Sequence, residues 1–159
     1  MGSAWRLTKT KYLAAAWDGE GAKRAGGRWN SPGTAVVYVS GSLSLALVEV
    51  LVHLSAEILP AFSAIPVVFD EPLVTVPARI PDEWQESPPG AATQAIGDLW
   101  VASGRSAVLR VPSVIVPGES NYLLNPAHAD FRRIRIGEPA SFPFDARLAR
   151  GARRGEGGQ

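Results

Sequence analysis

The stretch "AGGRWNSPGTAVVYVS" (25–40) joins a glycine-rich turn directly to an apolar strand. Its last six residues, 35–40, are β-branched and apolar enough to predict a buried strand. The turn before that strand places Arg28 and Trp29 after two glycines. Glycine lets a main chain approach a ligand closely, and functional residues are often carried on loops of this kind. The stretch therefore predicts a ligand-binding loop attached to the core.

The composition of the chain restricts its class. With 159 residues the chain fits one domain, 46% of its residues are hydrophobic, and its net charge of +1 argues against a nucleic acid or membrane surface as partner. It has no cysteine, which excludes disulfides and thiolate chemistry. The longest apolar run, "LALVEVLVHL" (45–54), is too short to cross a bilayer. We expect a cytoplasmic protein.

Hydrophobic periodicity and turn residues predict six strands and three helices in mixed order, which is an α+β arrangement with mixed or antiparallel sheets. The predicted strands are 4–9, 35–40, 64–70, 72–80, 107–116 and 131–138. The predicted helices are 11–17, 42 to about 57, and 92–104, and the predicted loops are 18–33, 81–90 and 117–130. One domain over 1–150 and a flexible, basic, glycine-rich tail over 151–159 complete the prediction.

Glu49 is the first candidate for chemistry. It lies in the predicted helix 42–57, which is apolar almost all round. A carboxylate buried there costs several kcal/mol unless it is paired, and His53 lies one turn further along the same face. The opposite interpretation, a narrow solvent stripe that contains Ser42, Glu49 and His53, has equal support from periodicity alone.

Further candidates carry polar groups next to predicted core elements. Arg28 presents a planar fork suited to phosphate or carboxylate, although an isolated "GGR" is more often a surface turn. Tyr38 stands in mid-strand, where its hydroxyl needs a partner. Ser103, Ser106 and Ser113 surround a helix-to-strand junction, and no nucleophile-elbow motif accompanies them. Ser106 therefore suits a ligand contact better than a nucleophile.

The remaining motifs are absent or have an ordinary structural interpretation. The asparagines and histidine of "ESNYLLNPAHADF" (119–131) fit turn capping, and we expect that role for most of them. His53 and His128 are the only histidines, and their spacing from Glu49 matches no common metal motif, so no metal is predicted. Neither a phosphate-binding Walker loop nor a dinucleotide-binding glycine fingerprint is present.

Taken together in order and spacing, these segments resemble the RES domain. The segments are "WR" near the start, "GGRWNSPGTAVVYVSGSLSLALVEVLVH", and "ATQAIGDLWVASGRSAVLRVPSVIVPGESNYLLNPAHADF". The resemblance runs from about Trp5 to Pro143. It implies a fold similar to ADP-ribosyltransferases and diphtheria-type toxins, and the toxin role in a type II toxin–antitoxin pair. It also implies consumption of NAD+ as substrate, by hydrolysis or phosphorolysis, with no further cofactor.

The resemblance also implies roles for individual residues. Arg28, Tyr38 and Glu49 match the family's arginine, tyrosine and glutamate and are expected to be catalytic. Ser106 is matched to the family's serine, while Ser103 and Ser113 remain alternatives. The expected NAD+-binding residues are Arg6, Arg28, Trp29, Asn30, Tyr38 and Ser106. The implied partner is an Xre-type helix-turn-helix antitoxin, and a homo-oligomer or a toxin–antitoxin hetero-oligomer remains open.

Three other functions remain alternatives at this point. An ADP-ribosyltransferase would use the same residues and transfer ADP-ribose to a protein. A non-catalytic module that binds a partner helix would have no affinity for NAD+ and would not depend on Glu49 or Arg28, whereas an NAD+-binding sensor would bind NAD+ tightly without turnover.

Overall fold

The computed structural model describes residues 1–54 and 59–148, which form an α+β domain. The strands are β1 (Gly2–Lys9), β2 (Val37–Ser40), β3 (Phe62–Phe69), β4 (Val74–Thr75), β5 (Val108–Pro112), β6 (Ser120–Leu124), β7 (Arg135–Ile136) and β8 (Ala140–Phe142). The helices are α1 (Glu20–Ala25), α2 (Leu43–Leu51) and α3 (Ala91–Ser103). Short 3-10 turns cover Thr10–Ala15, Glu71–Leu73 and Ala129–Arg133.

The strands of the described residues form one sheet in the order β4-β5-β6-β2-β1-β3-β7, and β8 pairs with β3. All pairs are antiparallel except β4 with β5, which is parallel. The central pairing of β1 with β3 runs over eight residues, from Gly2 opposite Phe69 to Lys9 opposite Phe62. This pairing is the longest among the described strands, and it lies near the middle of the sheet.

The sheet opens between β1 and β2. These two strands share one register pair, Trp5 opposite Ser40. Beyond that pair a side chain bridges the strands, because Arg6 Nη1 donates to the main-chain oxygen of Tyr38 at 3.0 Å. A separation of two central strands exposes the interior of the sheet, and the cleft described below lies along it.

Three apolar clusters hold the layers together. Val67, Val108 and Leu124 are fully buried and tie β3, β5 and β6 into one core. A second cluster centres on Trp29 and Trp100. A third cluster consists of Leu7, Ala46, Phe62 and Ala64, and it packs α2 against β1 and β3.

Helix α2 begins where the sequence predicts and ends earlier. Ser42 is its N-cap, because its hydroxyl accepts a hydrogen bond from Leu45 N at 3.0 Å. The helix ends at Leu51, six residues before the predicted end. Residues 55–58 of that prediction and the tail 151–159 lie outside the described residues.

Several predicted elements are corrected by the structure. The predicted helix 11–17 is a 3-10 turn, and the predicted loop 18–33 contains α1. The predicted loop 117–130 contains β6, which pairs with both β2 and β5. The predicted strand 131–138 is reduced to β7, because a 3-10 turn occupies its first half. For β6 and β7, pairing partners from distant segments decided the local structure.

The predicted strands 72–80 and 107–116 are shorter in the structure. Only Val74–Thr75 of the first is a strand, and the second ends at Pro112. A membrane span is not found among the helices of residues 1–54 and 59–148, since none is long and apolar enough.

Candidate functional site

A cleft of about 1110 Å³ opens beside the gap between β1 and β2. Its walls come from β1, β2, α2 and the segments that follow α1 and β5. Ligand pockets typically have volumes of roughly 300–1,000 Å³, so this cleft has room for a large small-molecule ligand. The chemistry-bearing residues in its walls are Arg6, Asp18, Arg28, Tyr38, Ser40, Glu49, His53 and Asn121.

Glu49 is half-buried in the wall formed by α2, and its carboxylate is held from the opposite elements. Asn121 Nδ2 donates to Glu49 Oε1 at 2.7 Å, and Ser113 Oγ donates to the same oxygen at 2.9 Å. Glu49 therefore lies in a cleft rather than on a solvent stripe. Its predicted pairing with His53 is wrong, since the partners shown come from β6 and from the residue after β5.

Ser113 forms hydrogen bonds both with the Glu49 carboxylate and with the main chain of its own turn. It is 2% exposed, and its hydroxyl accepts hydrogen bonds from the main-chain N–H groups of Ile115 and Val116 at 3.2 and 3.1 Å. A hydroxyl has one proton to donate and two acceptor positions. All three are used in this arrangement, so Ser113 orients Glu49 and is not available as a nucleophile.

Arg6 is a half-buried cation on β1, where that strand separates from β2. Burial lowers the pKa of its guanidinium to about 10, against the opposing effect of the Asp18 carboxylate. The centroid of the Trp17 ring lies 5.9 Å from the guanidinium carbon. The Nε–H is enclosed by protein and has no hydrogen-bond partner within the described residues, which costs stability. Arg6 therefore borders the cleft through its other atoms.

Arg28 holds the loop that closes one side of the cleft. Its Nη1 donates to the main-chain oxygens of Trp84 and Glu86 at 2.8 and 2.7 Å. These bonds use both protons of Nη1, which leaves three of the five guanidinium donors for other partners. Residues 85 and 87–89 of the same loop also line the cleft. The predicted binding turn therefore also fixes the neighbouring loop.

Trp29, Asn30 and Tyr38 form the frame behind the turn. Tyr38 donates from its hydroxyl to Asn30 Oδ1 at 2.7 Å and accepts from Trp29 N at 3.2 Å. Burial raises the pKa of that hydroxyl well above its ordinary value, although the bond from Trp29 N–H works in the opposite direction. The tyrosine hydroxyl thus has the partner that its mid-strand position predicts, and its ring borders the cleft.

Asn30 acts inside the turn. It is 0% exposed, and its Nδ2 donates to the main-chain oxygens of Ala22 and Thr34 at 2.9 and 3.1 Å. No surface of Asn30 reaches a ligand, so its predicted place among direct contacts is replaced by a scaffolding role. Trp29 is also buried and stacks on Trp84, with 6.2 Å between ring centroids, which confirms that it anchors the turn in the core.

Two glycines permit the close contacts of this turn with Tyr38 and with α3. A Cβ at Gly27 would lie 2.8 Å from the Tyr38 hydroxyl oxygen. A Cβ at Gly97 of α3 would lie 1.7 Å from the main-chain oxygen of Trp29. Any larger residue at Gly97 would push α3 away from the turn.

Ser106 does not lie in the cleft. It is 5% exposed, accepts from Trp100 Nε1 at 2.8 Å, donates to Val108 O at 2.9 Å, and bonds Thr75 Oγ1 at 2.7 Å. This correction has a simple physical reason: the residue precedes β5, and the cleft lies at the other end of that strand. Ser113, which follows β5, is the serine that the structure brings to Glu49.

The predicted turn capping is found for Asn125 and His128 and not for Asn121. Asn125 Oδ1 accepts from Ala127 N at 3.0 Å, and His128 Nδ1 accepts from Asp130 N at 2.9 Å. These two cap turns as predicted, and His128 Nε2 lies 2.8 Å from Gly104 O. Asn121 is different, since it lies on β6 and contacts Glu49. His53 is exposed at the cleft, apart from His128's turn.

Asn121 and Ser40 are the site residues that sequence reasoning missed. The signal was weak: Asn121 stands two residues before the buried Leu123, which places both on one face when the segment is a strand. The segment "SNYLL" (120–124) does not alternate, since Leu123 and Leu124 are both buried, and turn residues lie on both sides of it.

The fold and the cleft together define a class: an α+β domain whose opened sheet forms a cleft with a fixed carboxylate and two arginines. The chain belongs to the RES domain family, whose model matches residues 3–145. The resemblance stated from the sequence motifs is thereby confirmed.

Curated relatives of this chain are named as toxins. The protein called Toxin Res of Yersinia enterocolitica is 39% identical over 148 residues, which cover 91% of this chain and 97% of the relative. The Prs ADP-ribosylating toxin of a Sphingobium species is 40% identical over 158 residues, covering 94% of this chain and 98% of the relative.

A solved structure supports the fold. A chain in the crystal structure of the M. tuberculosis MbcT–MbcA toxin–antitoxin complex aligns with a TM-score of 0.73 at 18% identity. The alignment covers 96% of this chain and 89% of that chain. This likeness concerns the α+β arrangement of helices and strands.

Proposed function

We propose that this chain is the toxin of a toxin–antitoxin pair and that it cleaves the bond between nicotinamide and ribose in NAD+. One observation carries the proposal: the Glu49 carboxylate is fixed by two hydrogen bonds to Oε1 in a large cleft that also contains Arg6 and Arg28. The cleft thus offers a carboxylate for a developing positive charge and two guanidinium groups for a pyrophosphate.

The pyrophosphate is bound by the two arginines. Arg28 keeps three donors after its bonds to Trp84 and Glu86, and the Arg6 guanidinium borders the same cleft while one of its N–H groups is bonded to Tyr38 O. Guanidinium groups suit this task because they donate charge-assisted, often paired, hydrogen bonds to phosphate oxygens. No third residue is required for charge balance, since the pyrophosphate of NAD+ carries two negative charges.

The reaction breaks the bond between the anomeric carbon and the pyridinium nitrogen. The bonding electron pair leaves with the nitrogen, so nicotinamide departs neutral and positive charge develops on the ribose. Glu49 stabilises that charge, because a fixed carboxylate in a partly dry cleft acts more strongly than one in water. An oxygen of water or phosphate then bonds to the anomeric carbon, and an attacking water releases its proton.

The remaining predicted residues shape the site. The Tyr38 ring packs against the nicotinamide or ribose and restricts its pose, while its hydroxyl stays engaged by Asn30 and Trp29. Asn30 and Trp29 act by holding this turn. Ser113, the alternative for the family's serine, lies at the cleft in place of Ser106, and it acts on Glu49 rather than on NAD+ directly.

A protein acceptor is the second candidate. It is favoured by the name of the Sphingobium relative, an ADP-ribosylating toxin 40% identical to this chain. The same carboxylate and arginines serve this reaction, within an ADP-ribosyltransferase-like fold, and only the attacking group differs. Mass spectrometry of proteins from a lysate treated with the chain and NAD+ separates the two, because transfer adds ADP-ribose to a protein side chain.

The proposed partner is an Xre-type helix-turn-helix antitoxin. The toxin–antitoxin complex that contains the tuberculosis neighbour supports a protein inhibitor for this fold. We expect induction of the chain alone to stop bacterial growth and co-expression of its antitoxin to restore it. Growth arrest by the Glu49→Gln variant as strong as that by the wild type would contradict a toxin whose effect depends on this site.

The test of the reaction compares purified wild type and Glu49→Gln with NAD+, with and without inorganic phosphate. Glutamine keeps an oxygen for the bonds from Asn121 and Ser113 and removes the charge, so the fold is expected to persist. We expect turnover to fall at least about 1,000-fold, the size of a lost electrostatic contact in a transition state. Chromatography of nicotinamide and the ADP-ribose product follows the reaction, and dependence on phosphate identifies the acceptor.

Glu119→Gln is the matched control. Glu119 is exposed, lies two residues before Asn121, and has only a long contact of 3.4 Å to Ser42 Oγ. This variant undergoes the same change of charge outside the cleft and should keep wild-type turnover. Equal NAD+ consumption by Glu49→Gln and wild type would refute the proposed mechanism.

A further inference from the structure

Asn121 connects Glu49 to a second strand. Its Nδ2 donates to Glu49 Oε1 at 2.7 Å, and its Oδ1 accepts from Ser40 Oγ at 2.7 Å. Ser40 and Asn121 are register partners in the pairing of β2 with β6. The amide therefore stands between a buried hydroxyl and a carboxylate, in the rigid part of the sheet.

The Glu49 carboxylate sets the direction of the amide, because it only accepts hydrogen bonds and the reversed amide would place two oxygens against each other. With the –NH2 group facing the carboxylate, Oδ1 faces Ser40, which is 6% exposed and donates its hydroxyl proton to that oxygen. Ser40 therefore holds the amide in place from the other side.

The hydrogen bonds to Glu49 that the described residues make all go to Oε1. Oε2 is left for the cleft, which Glu49 borders. We infer that Asn121, held on its other side by Ser40, is a positioning residue that presents the Glu49 Oε2 atom to the ribose of the bound dinucleotide. This inference rests on the proposed function and adds to it the residues that aim the carboxylate.

The same bond fixes the carboxylate in position. Asn121 Nδ2 holds Oε1 at 2.7 Å, so removal of the amide leaves Ser113 as the one remaining hydrogen-bond partner of that oxygen among the described residues. The carboxylate is then free to turn away from the ribose.

The experiment measures kcat, KM and the pH–rate profile for NAD+ in wild type, Asn121→Ala and Asn121→Asp. For Asn121→Ala we expect kcat to fall about 10- to 100-fold with little change in KM, because misplacement of a reacting group has effects of this size. For Asn121→Asp we expect two carboxylates that share one proton, so activity relative to wild type rises toward acid pH.

Asn125→Ala is the matched control. Asn125 lies at the end of the same strand, is 3% exposed and caps a turn away from the cleft. Its loss should lower the melting temperature without moving the pH profile. An unchanged kcat in Asn121→Ala, at wild-type turnover, would overturn the inference while the proposed function stands.

A second measurement does not depend on turnover. A crystal structure of Asn121→Ala should show the Glu49 carboxylate turned away from the position that it has beside Asn121 and Ser113. A carboxylate in its wild-type position would refute the inference even if NAD+ proves not to be the substrate. Absence of NAD+ turnover in the wild type, with a displaced carboxylate in the variant, would refute only the proposed function.

Discussion

The two ends of strand β5 carry serines that differ in what they hold. Ser106 precedes the strand, and Ser113 follows it. Each is almost completely buried, and each uses its one proton and both acceptor positions. Ser106 forms these hydrogen bonds with Trp100, Thr75 and Val108 in the core. Ser113 forms them with Glu49 in the cleft and with two main-chain N–H groups of its own turn.

The comparison shows that the role of each serine is set by the groups on the neighbouring element that it contacts. Opposite Ser106 are the indole of α3 and the threonine of β4. Opposite Ser113 is the carboxylate of α2. Loss of the first should affect folding, and loss of the second should affect the reaction.

Of the three serine variants, Ser113→Ala is expected to give the largest effect. It removes one of the two hydrogen bonds that hold Glu49 Oε1, so the carboxylate loses its fixed position. We expect kcat for NAD+ to fall about 100-fold, or about 2.7 kcal/mol of transition-state stabilisation. Steady-state kinetics of protein shown by circular dichroism to be folded provides the measurement. A variant with wild-type kcat would remove the distinction between the two ends of β5.

Ser106→Ala should chiefly change stability. The substitution leaves the buried Trp100 N–H and the Thr75 hydroxyl without their partner, which costs about 2 kcal/mol of the free energy of unfolding. Urea denaturation measures this loss, and kcat/KM below the transition should stay within about twofold of wild type. If activity fell and stability did not, Ser106 would have to act on the cleft after all.

Ser103→Ala is expected to have the smallest effect. Ser103 is exposed at the end of α3, where its hydroxyl donates to Trp100 O and accepts from Arg105 N. Exposed substitutions of this kind usually change stability by less than about 0.5 kcal/mol. Both the melting temperature and NAD+ turnover should match wild type, which would set the baseline for the other two variants.

The sequence predicted elements best where the local signal and the tertiary partner agree. Ser42 caps α2 as predicted, and the predicted helix 92–104 corresponds to α3 over Ala91–Ser103. The prediction failed for β6, because "SNYLL" lies between turn residues and becomes a strand only through pairing with β2 and β5. Such pairing is not encoded by the propensities of five residues.

The candidate site follows the same division. The family resemblance already named Arg6, Arg28, Tyr38 and Glu49, and the structure brings these four to one cleft. The choice among three serines could not be made, because Ser106 and Ser113 stand within one short segment of the chain. Only the tertiary structure, which shows the groups that each serine contacts on neighbouring elements, distinguishes them.

The sequence by itself determined the family, the α+β class and the residue types of the site, since these depend on order, spacing and chemical character along the chain. Tertiary structure decided which serine and which asparagine meet Glu49, and that Asn30 holds the turn from inside. The physical reason is that a hydrogen bond depends on atoms within about 3 Å. Asn121 and Glu49 are 72 residues apart in the chain and reach that distance only when β6 and α2 meet at the cleft.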